Sequence, residues 1–323
     1  MKPSFFLFFA AVCFSLLPRP SAATPIDLSV AGNYNTFIFK DFTAPSSDTE
    51  GRLAVGGNAK LANYSVGDKL SPSNDPVLVV GGDLTFKSGQ VYHGDVMVGG
   101  STDNVDQSVL WGLKNEGLEL IEGDVGVLVN FGKEEAYLKA LSKEISQLTA
   151  TGTSEMKWGG MNLKGDGKSD LQVFNLNGGE VLGAHTFNLE LSSIPEDAML
   201  LFNINGKKAG LTNMSLAQLQ SISDHVLFNF FDATKLKLSG IGVEGSILAP
   251  LANVKNPMGV INGTIIAKSW SGIMQQNHNP LAQDPGGTAA VPEPATLFLL
   301  GSGLIALAGF KKKRWWRRHQ TIK

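Results

Sequence analysis

The chain has 323 residues, with 27 Lys and Arg against 29 Asp and Glu, 37 glycines and one cysteine. Between residues 24 and 290 the balance is 18 basic to 28 acidic, near −10, with Arg52 the one arginine; such a surface repels phosphate backbones and excludes nucleic acid as a partner. Cys13 lies in the apolar leader, so the exported part carries neither a disulfide nor thiol chemistry.

The leader, residues 1–23, reads as a secretory signal. Lys2 supplies the positive start, Phe5 to Leu17 an apolar run, and Ser21, Ala22 and Ala23 the small residues that signal peptidase requires. Short β-type runs follow, each closed by Gly with Asn or Asp. Examples are Arg52–Asn58, Val77–Asp83, Gly94–Gly100 and Glu122–Val129. Gly81 and Gly99 are 18 residues apart, and so are Gly245 and Gly263 in two later runs; Gly56 to Gly81 is 25, which requires a loop near Asp68 to Asp75. A period near 18 is too long for one hairpin strand and too short for a βαβ unit. It fits one rung of a β-solenoid, with a β-sandwich as the alternative.

Lys133 to Leu148 breaks this texture. Leu138, Leu141, Ile145 and Leu148 recur at helical spacing, which predicts an amphipathic helix covering one apolar side of the coil. Strand-like runs resume over Leu171 to Leu201 and Val226 to Leu238, and residues 282–290 read as a linker. The last segment, 291–323, joins Pro292-Glu293-Pro294 to an apolar stretch, 295–310, and a basic tail. Sixteen residues give roughly 24 Å of helix, enough for a short transmembrane span with the tail on the cytoplasmic side.

That order of parts resembles the PEP-CTERM sorting signal of Gram-negative bacteria. The resemblance implies an exosortase partner, with Pro292, Glu293 and Pro294 as recognition residues. Phe37–Phe42, Ser47–Gly57, Val79–Gly82, Gly242–Pro250, Ile261–Lys268 and His278–Leu281 are similar to the choice-of-anchor A domain, over residues 24–281. That family resembles the ice-binding-like adhesive β-solenoids, and the resemblance implies an adhesive or structural role at the cell surface without catalytic residues.

Asp48, Glu50 and Arg52 form a charged cluster that reads either as an ion pair fixing a turn or as a ligand or Ca²⁺ site; the arginine disfavours a cation. Asp83, Asp95 and Asp124 read as corner residues, since the spacing of calcium-binding repeats is absent. His93, His185, His225 and His278 lack metal-ligand spacing. No nucleophile elbow occurs in a strand–turn–helix setting, and Thr149, Thr151 and Thr153 do not recur at the rung period that an ice-binding face requires. No cofactor is expected, Ca²⁺ being the one ion the acidic residues could take.

The expected fold is mainly β: a right-handed β-solenoid (β-helix) with one long amphipathic helix packed alongside, plus a C-terminal transmembrane helix. The expected function is a non-enzymatic adhesin, exported through an inner-membrane-tethered intermediate to the cell surface or extracellular matrix, where exopolysaccharide is a candidate partner. The alternatives are a polysaccharide-active β-helix enzyme, hydrolase or lyase, and a purely structural coat component.

Overall fold

The computed structural model describes residues 26–73 and 75–282. The leader, Pro292, Glu293, Pro294 and the stretch 295–310 lie outside them.

Leu53–Val55 and Leu78–Val80 are three-residue apolar strands buried on both faces. Strands of this kind need cover on both sides. Ten strands form one parallel stack. Its spatial order is Leu171–Leu176, Met199–Ile204, Val226–Asn229, Ser246–Lys255, Ile265–Ser271, Thr36–Ile38, Leu53–Val55, Leu78–Val80, Val96–Val98 and Leu120–Glu122. The 18-residue repeats are neighbours in it: Leu78 pairs with Val96, and Ile247 with Ile265.

The expected solenoid is corrected by two features of this pairing. A coil wound rung by rung would leave Thr36–Ile38 at one end. Instead it lies mid-stack, with Phe37 between Ile266 and Ala54. Further round, the pairings close. Lys235–Glu244 joins Ser246–Lys255, then Ile265–Ser271, Phe42–Ala44, Ala59–Val66, Ser47–Thr49, Gln275–Asn277 and Met258–Asn262, which pairs back with Lys235–Glu244. The result is a closed ring of eight parallel strands. The expected transmembrane helix, 295–310, lies outside the described residues, and among those no helix is long and apolar enough to cross a membrane.

The helices explain the chain order. The chain leaves the middle of the stack, reaches one end at Leu120–Glu122, and resumes at the other end at Leu171–Leu176. Helix α1, Gln107–Asn115, buries Val109 and Leu113 near the first end. Helix α2, Phe131–Ile145, lies on the way between the ends. Asn130 caps α2 by accepting from the Lys133 amide at 3.0 Å. Leu138 and Ile145 are buried in one cluster with Phe37, Ala54, Val79, Leu201, Leu227, Leu248 and Ile266. These are middle residues of the stacked strands, and their neighbours, such as Ile38, Leu53 and Val55, face the main core. Among the described residues, both clusters lie within the compact unit that ends at Ala282.

Three strands on the return path carry Phe-Asn at matching positions. Phe174, Phe202 and Phe228 stack inside at 5.3 and 5.1 Å between ring centroids. On the helix side, Asn229 donates to Asn203 at 2.8 Å, and Asn203 to Asn175 at 3.0 Å. The same amides donate to the carbonyls of Ser142, Ile145 and Leu148, at 2.8, 2.8 and 3.0 Å. Backbone amides reach the Ser142 and Ile145 carbonyls only at 3.3 Å, and the asparagine ladder adds shorter bonds at this helix end.

Candidate functional site

A second, smaller sheet is built from the chain between α2 and Met199–Ile204, on either side of the return strand Leu171–Leu176. Thr153–Lys157 runs antiparallel to Gly160–Lys164, which pairs in parallel with Thr186–Glu190. One face, with Met161, Leu163, Phe187 and Leu189, is buried in the main core. The other carries three registered rows: Thr153, Lys164 and Glu190; Glu155, Asn162 and Asn188; Lys157, Gly160 and Thr186. Asn188 donates to Asn162 Oδ1 at 3.1 Å and to Thr186 Oγ1 at 3.3 Å, while Lys164 pairs with Glu190 at 3.2 Å.

The hairpin turns on Trp158 and Gly159, with φ of 51° and 79°. Positive φ at both central residues selects Asn-Gly or Asp-Gly, so tryptophan at the first position is strained by about 1 kcal/mol. Trp158 is also 94% exposed, with the Lys157 ammonium 4.7 Å from its ring centroid. An exposed indole in a costly backbone conformation makes Trp158 a candidate position. Beside it a groove is lined by Glu155, Gly160, Asn162, Thr186 and Asn188. An apolar plate next to amide and hydroxyl groups can hold a ring with one C–H face and several hydroxyls.

The sequence-derived cluster is only partly brought together. Arg52 pairs with Asp75 at 3.1 Å, not with its acidic neighbours. Glu50 accepts from the His278 amide at 2.8 Å, and Asp48 from Gln275 Nε2 at 3.3 Å. Burial, followed by the charges of Asp68 and Glu50, raises the Asp48 pKa, with Lys69 and Gln275 opposing. Burial likewise holds the His278 pKa below its ordinary value. Among the described residues, no group of three or more His, Cys, Asp and Glu side chains is placed to hold a metal ion.

Folded Asp48 keeps its proton to higher pH than the unfolded chain does, so its ionised form carries a cost at neutral pH that fades as both states protonate. Asp48→Asn is therefore expected to stabilise the domain at pH 7 by roughly 0.5 kcal/mol, allowing for solvent screening, and to change nothing at pH 3. Thermal melts at the two pH values check this.

The corner residues hold backbone. Asp41 accepts from the Asn58 amide at 3.0 Å, Asn58 from Asp83 at 2.8 Å, and Asp83 from Ser101 at 2.9 Å. Asp95 accepts from the Glu119 amide and Asp124 from Gly126, both at 2.8 Å. Sequence reasoning missed the Trp158 sheet as a site. Its signal was a Trp-Gly pair, where Asn-Gly is usual, between two alternating runs.

Residues 27–278 match the family described as "Putative Ice-binding-like adhesive domain", and residues 290–314 match the PEP-CTERM protein-sorting motif. Among curated proteins none matches the chain significantly. Similar solved structures include an ice-binding protein from the Antarctic ascomycete Antarctomyces psychrotrophicus, at 14% identity and TM-score 0.30, covering 80% of this chain and 100% of that one. The antifreeze ice-binding protein LeIBP from an Arctic yeast is another, at 13% identity and TM-score 0.31, covering 80% and 96%. With a family match across residues 27–278, the chain belongs to the ice-binding-like adhesive domains and carries a PEP-CTERM sorting motif behind that domain.

Proposed function

We propose that the protein is a non-enzymatic adhesin of the cell surface or extracellular matrix. An exosortase recognises Pro292, Glu293 and Pro294 and delivers it, and the Trp158 sheet grips matrix polysaccharide. The observation that supports this reading most is the pairing of an adhesive domain with a sorting motif in one chain. The strained, 94% exposed Trp158 beside the Asn162–Asn188 row supplies a gripping surface.

Purified residues 24–290 are expected to be retained on the host's own exopolysaccharide or cell envelope. In the cell, mass spectrometry of the mature C-terminus is expected to show the tail intact only when the exosortase is deleted. Lack of retention across salt and Ca²⁺ conditions, or the same C-terminus in both strains, counts against the corresponding half of the reading.

A further inference from the structure

A row of lysines lies apart from the Trp158 sheet. On Lys208–Thr212, Lys235–Glu244 and Ser246–Lys255, the residues Lys208, Lys235, Lys237 and Lys255 are all exposed. Lys208 stands directly opposite Lys235 in parallel register. Lys255 lies one residue beyond the Leu236–Val254 pair, as Lys237 does on its strand. Lys235, Lys237 and Lys255 line a groove with Asn253 and Leu236, and Lys207 is exposed at its end.

Neighbouring parallel strands are about 4.8 Å apart, which sets these like charges side by side on adjacent strands. Like charges directly opposite destabilise a sheet. None of the five lysines forms a salt bridge among the described residues. Yet the domain that carries them is acidic, near −10 over residues 24–290, so the row stands out against the charge of the rest. A repulsive arrangement kept unpaired in an acidic protein is accounted for by a partner that supplies the missing negative charge.

We infer that this row is a binding site for an acidic polysaccharide, a flexible chain bearing a carboxylate or sulfate on successive sugars. Lysine ammonium groups are point charges, suited to either anion. A single flexible chain can follow the groove, whereas a DNA duplex or an anionic bilayer brings dense charge against the acidic surroundings. The site goes beyond the Trp158 reading and does not depend on it.

The test uses residues 24–290 and four probes: polygalacturonate, a sulfated dextran, double-stranded DNA and phosphatidylglycerol vesicles. One variant changes Lys208, Lys235, Lys237 and Lys255 to Gln. A second changes the dispersed Lys114, Lys133, Lys143 and Lys168 to Gln, with the same loss of net charge. The wild type is expected to bind one or both polysaccharides in a salt-dependent way, and DNA and vesicles at least tenfold more weakly. The row variant is expected to lose polysaccharide affinity more than tenfold and the dispersed variant less than twofold. The row variant's Tm is expected to stay equal or rise, because repulsion has been removed. Equal losses in both variants, no loss in the row variant, equal binding of DNA or vesicles, or a lowered Tm in the row variant would overturn the inference. Substituting Trp158 is expected to leave polyanion binding through the row intact, so this test and that of the Trp158 sheet fail separately.

Discussion

Asn203→Leu is expected to destabilise the domain by about 3 kcal/mol, although the two side chains are nearly equal in size. Asn203 is 1% exposed and accepts from Asn229 at 2.8 Å while donating to Asn175 at 3.0 Å and to the Ile145 carbonyl at 2.8 Å. Leucine makes none of these bonds. It leaves the Ile145 carbonyl with only the 3.3 Å bond from the Leu148 amide and strands an amide hydrogen of the fully buried Asn229, and a buried orphan costs about 1–3 kcal/mol. The Tm is expected to fall by about 10 °C for a domain of this size. Asn175→Leu, at the exposed end of the ladder, is expected to cost under about 1 kcal/mol. Denaturant titration of both variants separates them. Equal small effects would mean that the ladder does not hold α2 on the stack.

Gly81→Ala is expected to cost a comparable amount, about 3 kcal/mol, for a steric reason. The Gly81 amide donates to the Val55 carbonyl at 2.7 Å, which draws its backbone onto Gly56. A Cβ on Gly81 falls 2.5 Å from the Gly56 oxygen and 3.1 Å from its carbonyl carbon. Both are backbone atoms of the neighbouring strand, so relief requires the sheet to part. Gly99 repeats the contact one level on, 2.6 Å from the Gly81 oxygen. Gly183 is the control: a Cβ there meets nothing within 4 Å. Gly183→Ala, near the end of a short helix, is expected to be neutral or stabilising by a few tenths of a kcal/mol. Chemical denaturation of the two variants gives the comparison.

These two sites show how much of the architecture could be read in the chain. The Gly-Gly pairs were legible because strand, glycine and corner recur together, and the 18-residue interval does report adjacent strands, as Leu78 and Val96 show. The interval says nothing of the order in which strands join. Thr36–Ile38 closes against Ile265–Ser271 from the far end of the sequence, a pairing that local periodicity does not encode. The Phe-Asn ladder went unread because its members lie 28 and 26 residues apart, at Phe174, Phe202 and Phe228; loops of differing length hide a repeat whose strands pair in strict register. The apolar stripe predicted the helix near α2, but Leu148 lies past its end and is 37% exposed.

The candidate sites were less legible than the fold. Asp48, Glu50 and Arg52 are close in sequence, yet Arg52 turns to Asp75 and Glu50 to the His278 backbone. Positions i, i+2 and i+4 share a face only while the chain stays extended, and the strand Ser47–Thr49 ends before Glu50, so a tight charged triplet is a poor guide to a shared site. The Trp158 sheet depends on Glu155, Asn162 and Asn188 meeting in one row, and Asn188 arrives from a strand beyond a helix.

The most direct measurement is a titration of residues 24–290 with matrix polysaccharide, comparing the wild type with Trp158→Asn. Asparagine is the residue this turn prefers, so the variant hairpin is expected to gain about 0.5 kcal/mol in stability while the stacking plate is lost. Adhesion through this sheet predicts a Kd weakened about tenfold, or 1.4 kcal/mol, in a protein at least as stable as the original. An unchanged Kd in the folded variant would contradict it.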